Sequence, residues 1–163
     1  MKPKLSSNLL VFSLFGVALG FFGILYEGIV YGPKFLVVSP ERMQFWKMFT
    51  SVISPIPYYI PIYPIAIILL AVVLFGIPAE KGKLRRLLVA ATLFQIASLA
   101  LTIYILTVIN FRRSFGDLER YANEIPGKAM LFNILSFVRI CLGAISLVFV
   151  FKACMQIQKE QPK

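Results

Sequence analysis

Apolar residues gather along the chain into four long runs, Leu9–Val30, Tyr58–Ile77, Leu87–Ile109 and Leu131–Ala153, divided by breaks that carry most of the charge and much of the proline. Each run approaches the ~20 residues a helix needs to cross a ~30 Å hydrocarbon core, where a helix satisfies its own backbone hydrogen bonds. The pattern predicts an all-α, polytopic membrane protein. It is expected to form a single domain over residues 1–163, a four-transmembrane-helix bundle with spans at roughly 9–30, 58–77, 87–109 and 131–153.

The breaks differ in kind. Tyr31–Pro57 is long for a connection and contains Ser39-Pro40-Glu41, a helix-start signal with Ser at the cap, Pro at the first helical position and an acid in the first turn. Residues 41–53 then read as a short interfacial helix, with Trp46 beside Lys47 placed for the headgroup boundary. Pro55, Pro57, Pro61 and Pro64 crowd the entry to the second run, so regular helix is expected to begin around Pro61 or Pro64, with Tyr58, Tyr59 and Tyr63 in an interfacial belt. Pro78–Arg86 is a short basic turn that makes the second and third helices antiparallel neighbours. Asn110–Met130 is polar and charged and carries the turn signal Pro126-Gly127.

Composition supports the same class. The chain is 59% hydrophobic, against about 45–50% for a soluble domain, and its mean hydropathy is +0.83. Lys2 and Lys4 ahead of an apolar stretch resemble a secretory leader. The run is longer than a ~7–15 residue leader core, however, and no small-x-small cleavage site precedes Tyr26 and Glu27, so it is expected to remain in the mature protein.

The net charge of +10 does not point to nucleic acid, because the 17 Lys and Arg residues are scattered over short loops and tails instead of forming one stripe. Lipid headgroups are the expected partner for such loops. Four spans put both termini on one side, which carries nine cations (Lys2, Lys4, Lys81, Lys83, Arg85, Arg86, Lys152, Lys159, Lys163) against seven opposite (Lys34, Arg42, Lys47, Arg112, Arg113, Arg120, Lys128). The bias predicts a plasma or inner membrane protein with cytoplasmic termini.

Cys141 and Cys154 lie thirteen residues apart on one helix, roughly 20 Å along its axis, so they cannot pair with each other. With no His and no Cys pair at ligand spacing, the usual zinc, copper and haem sites are excluded, and no metal or cofactor is expected.

Two charges fall within or at the edge of spans, Glu27 and Arg139, and charges there usually face the protein interior and carry function. At 100° per residue, Ser13, Gly16, Gly20, Gly23, Glu27 and Tyr31 share one side of the first helix, and Gly16-x-x-x-Gly20 is a close-packing pattern. Ser136, Arg139, Gly143 and Ser146 share an arc of the fourth. Gln95, Ser98 and Thr102 share a face of the third, with Asn110 at its far end. Antiparallel order puts Glu27 and Arg139 in the same half of the membrane, where an ion pair between them is feasible. With Tyr26 and Asn133 as further candidates, these residues suggest a polar pocket open to the non-cytoplasmic side, capped by the 41–53 helix and Trp46. A Glu–Arg pair that merely fixes helix register is the competing account.

The layout also resembles a family of small four-helix integral membrane proteins that includes the anthrone oxygenases of aromatic polyketide pathways and many uncharacterised bacterial members. The resemblance rests on Leu25-Tyr26-Glu27-Gly28-Ile29-Val30-Tyr31-Gly32-Pro33, on Phe45-Trp46, on Val108-Ile109-Asn110 and on Asn133 followed six residues later by Arg139, and spans nearly the whole chain. It implies a cofactor-independent oxygenase-like pocket, with Glu27 taking a proton from an activated aromatic substrate, Arg139 stabilising the enolate, and Asn110 and Asn133 orienting it.

Three readings therefore stand. One is binding, with or without oxidation, of a small hydrophobic or aromatic molecule. Another is a non-enzymatic accessory or scaffold subunit that holds a membrane partner or a second copy. The third is a small transporter. A pocket predicts a cavity at Glu27 and Arg139, a scaffold predicts those charges fully paired, and a transporter predicts a route reaching both faces.

Overall fold

The computed structural model describes residues 3–33, 44, 48, 56–109 and 123–159. Among these the chain is helical apart from turns. α1 runs Pro3–Val30, α2 Ile56–Gly76, α3 Gly82–Tyr104, and α4 Ile125–Lys159, with a π-helical turn at Ile105–Ile109 extending α3. Three stretches, Ser7–Val30, Gly82–Ile109 and Ile125–Lys159, are long and apolar enough to cross a membrane, and the apolar Pro61–Gly76 is shorter.

The helices exceed the apolar runs that announce them, because hydropathy marks the part of a helix that suits lipid and not where its hydrogen bonding stops. α3 begins at Gly82, not at Leu87, since Lys83, Arg85 and Arg86 are good helix formers outside hydrocarbon. α4 begins at Ile125 with Pro126 in its first turn, where a missing N–H costs nothing, and its 35 residues extend about 52 Å. α2 holds both Pro61 and Pro64 inside the helix, against the expectation that they would open it. Each forfeits one backbone hydrogen bond, and both prolines are exposed on the bundle surface. Of the expected interfacial helix at 41–53 only Gln44 and Met48 are described, both helical and exposed; the rest, with Trp46, lies outside the described residues.

Consecutive described helices run antiparallel, and small residues set the register. A Cβ on Gly16 would lie 3.1 Å from Cβ of Ala66, so α1 and α2 touch almost backbone to backbone. A Cβ on Gly143 of α4 would lie 3.0 and 3.3 Å from the side chains of Ile24 and Phe21 of α1, which pack over the glycine. Ser146 Oγ donates to Ala91 O at 3.0 Å, joining α4 to α3. One apolar core fills the bundle towards the chain termini, built from Leu10, Val17, Leu70, Val73, Leu84, Leu88 and Val150.

Polarity is sorted opposite to a soluble bundle. Phe12, Phe15, Phe22, Phe75, Phe137 and Phe151 project outward, more than half exposed, while Ser13, Gln95, Ser98, Thr102, Ser136, Arg139 and Ser146 are buried. Such an exterior suits acyl chains, and the interior supplies the hydrogen bonds that hydrocarbon lacks.

Gly16→Ile is expected to destabilise the detergent-solubilised protein by about 1–3 kcal/mol through overpacking against Ala66, whereas Gly127→Ala, which meets nothing within 4 Å, leaves thermal stability unchanged. Equal melting temperatures for both variants would refute this register.

Candidate functional site

A polar seam runs through the half of the bundle away from the chain termini. Its centre is Arg139, among the largest fully buried side chains, with 1% of its side chain exposed. Arg139 Nη2 donates to Glu27 Oε2 at 2.5 Å, and Nη1 reaches Thr102 Oγ1 at 3.4 Å. Thr102 donates its own hydroxyl to Ser98 O at 2.9 Å, so its oxygen is free to accept from the arginine. Ser98 Oγ in turn shares a 3.3 Å hydrogen bond with the Tyr63 hydroxyl of α2. Four helices thus contribute to one line, Glu27 from α1, Tyr63 from α2, Ser98 and Thr102 from α3, Arg139 from α4.

Glycines make the approach. Gly20 sits where a Cβ would come within 3.7 Å of Gln95 Nε2 and of the Tyr63 ring. Gly28 lies under Ile140, whose Cδ1 occupies the space of a Cβ at 2.6 Å. These contacts draw α1 close enough for the Glu27 carboxylate, 13% exposed, to span to α4. The ion pair is asymmetric. Glu27 retains a path to the surface, and Arg139 has none.

Two polar atoms stand out. Arg139 Nε and Ser136 Oγ are buried and have no hydrogen-bond partner among the described residues. Three residues apart on α4, they lie on one helix face. A buried polar group left unmade costs about 1–3 kcal/mol, so each is a position that a polar atom from outside this set of residues can fill.

No family model matches the chain, and searches of curated proteins and of solved structures each return no match. The site therefore has to be read from its own geometry.

Of the residues the sequence suggested, Glu27, Arg139, Gln95 and Ser136 converge on or beside the seam. Tyr26 does not. It is 58% exposed and belongs to the outward stripe Phe12, Phe15, Leu19, Phe22, Tyr26 and Ile29, one residue and so about 100° away from Glu27. Its ring stands edge-on to Tyr31 at 5.9 Å. Tyr31 is half-buried just beyond the end of α1, and burial, then the neighbouring Tyr26 and Glu27, push its hydroxyl above the usual phenol range. Asn133 is half-buried but committed locally, Nδ2 donating to Ala129 O at 2.8 Å and Oδ1 filling the place a Cβ on Gly32 would take. Trp46 and Asn110 lie outside the described residues. The sequence also assigned Tyr63 to an interfacial belt, whereas it is 1% exposed and part of the seam. Its spacing with Ala66, Leu70, Val73 and Ile77, all inward, is the signal that places it there.

Removing Glu27 leaves a charged guanidinium buried, while removing Arg139 leaves a carboxylate that can turn to water. Glu27→Ala is therefore expected to cost on the order of 3 kcal/mol, more than Arg139→Leu, and the double variant is expected to recover part of that loss. Chemical denaturation of the three variants in mild detergent measures it, and additive losses with no recovery would mean that the two side chains are not coupled.

Proposed function

We propose that the chain is an integral membrane protein crossing the bilayer four times, with both termini cytoplasmic, and that it binds a small hydrophobic or aromatic molecule carrying an acceptor oxygen. The four-span reading counts α2, whose 21 residues extend about 31 Å and so match the hydrocarbon thickness. The basic cluster Lys81, Lys83, Arg85 and Arg86 at the α2–α3 turn supports the orientation.

The observation that carries the binding reading is the pair of unpartnered buried atoms, Arg139 Nε and Ser136 Oγ. Arginine Nε only donates, so the complementary atom is an acceptor, such as a carbonyl, quinone or phenolate oxygen. A hydrogen bond from a charged donor is shorter and about twice as strong as a neutral one, and burial strengthens it. A scaffold whose charges serve only to fix register would leave no donor over. The apolar body of the ligand would contact the aliphatic side chains that border the seam.

The resemblance to anthrone oxygenases extends this to oxidation, with Glu27 as base. In the present arrangement Glu27 is the counter-ion of Arg139. To accept a proton it must first be replaced on the guanidinium by the substrate's oxygen, so binding comes first and oxidation is a step that depends on it.

The test is thermal stability of purified protein with quinones and aromatic ketones, each matched to a hydrocarbon of the same shape. Ketones are expected to raise the melting temperature and the hydrocarbons to do less. Ser136→Ala is expected to leave the unliganded protein unchanged or slightly more stable, since it removes an unpartnered group, and to weaken ketone binding about fivefold. Equal shifts from ketone and hydrocarbon, or none from either, would overturn the assignment.

A further inference from the structure

At the opposite end of the α3–α4 seam, a cleft of about 410 Å³ is lined by Lys83, Arg86, Leu87 and Phe149. Its two cations make no ion pair among the described residues, and Arg86 uses Nε only for a long 3.4 Å bond to Gly82 O. The register fixed by Ser146 on Ala91 puts Lys152 of α4 level with them. Around this end the described residues include Lys81, Lys83, Arg85, Arg86, Lys152 and Lys159, with Glu80 as the one acid. The wall beneath is apolar, and Phe149 stacks on Phe94 at 5.9 Å and 16°.

Two chemistries meet within one cleft. A simple aqueous anion would use the cations and leave the Leu87 and Phe149 wall facing water. A purely apolar ligand would cover the wall and leave two cations unanswered. An anionic amphiphile answers both, with a charged head at the rim and a chain over the wall. We propose that this cleft holds one anionic phospholipid, its phosphate between Lys83 and Arg86 and its acyl chain against Leu87 and Phe149. Such a lipid would clamp the first turn of α3 to the last third of α4. The proposal rests on the membrane reading and is independent of the ligand assigned to Arg139.

The experiment uses the full chain in phosphatidylcholine nanodiscs and measures phosphatidylglycerol binding by competition with a labelled analogue. K83Q/R86Q is compared with R85Q/K159Q, which loses the same charge outside the cleft, and with K83R/R86K, which keeps it. The first double variant is expected to bind roughly tenfold more weakly or worse, the second close to wild type, and the third close to wild type as a check on folding. Millimolar inorganic phosphate is expected not to compete. Equal losses in both glutamine variants would mean diffuse surface attraction and no site. Competition by phosphate would make it an aqueous anion site, and indifference between phosphatidylglycerol and phosphatidylcholine would remove it altogether; each overturns the proposal. A chain that fails to enter the nanodisc refutes the membrane reading itself, a separate outcome.

Discussion

A guanidinium inside an apolar bundle is the constraint on which the other features depend. Arg139 is fully buried and charged, and an uncompensated ion in such a place costs several kcal/mol even after relaxation. Its position dictates a carboxylate at the same level of α1, a hydroxyl on α3 with a lone pair to spare, and helices close enough to bring both within reach. Glu27, Thr102 and the glycines at 28 and 143 meet those demands. The fold is thus arranged about a polar line, with the apolar core displaced towards the termini.

Small residues and hydroxyls divide the work of holding such a bundle together. In lipid there is no hydrophobic gain from helix association, because the surrounding tails are as apolar as leucine, and close packing and interhelical hydrogen bonds must do more. Gly16 on Ala66 provides close backbone approach, and Gly143 makes room for the Ile24 and Phe21 side chains at a second level of α1. Ser146 to Ala91 and Tyr63 to Ser98 tie the remaining helix pairs. Ser13 and Thr92 instead return their hydroxyls to their own helices, Leu9 O and Leu88 O, so that neither presents an open group to an apolar neighbour.

Helix faces were legible in the sequence, and helix ends were not. Residues at i, i+3, i+4 and i+7 declare a face whatever surrounds them, and Ser136, Arg139, Gly143 and Ser146 lie together and buried as their spacing requires. The partnership of Glu27 with Arg139 follows from antiparallel order and level, two quantities that spacing supplies. Ends are set by capping and by where charge meets water, so apolar runs understate them at Gly82 and at Ile125. Tyr26 adjoins Glu27 in sequence yet faces outward, because one residue along a helix is about a quarter-turn away. The π turn at Ile105–Ile109 carries no proline or glycine to announce it.

Arg139 is charged and buried, and its Nε–H has no partner among the described residues. Arginine-selective nitrogen NMR in lipid nanodiscs addresses it directly, since the other six of the seven arginines fall in the breaks between the apolar runs. One Nε–H signal, absent from Arg139→Lys, is expected to exchange with solvent far more slowly than the rest and to shift when an aromatic ketone is added. Seven signals exchanging alike, or a slow one indifferent to the ketone, would contradict it.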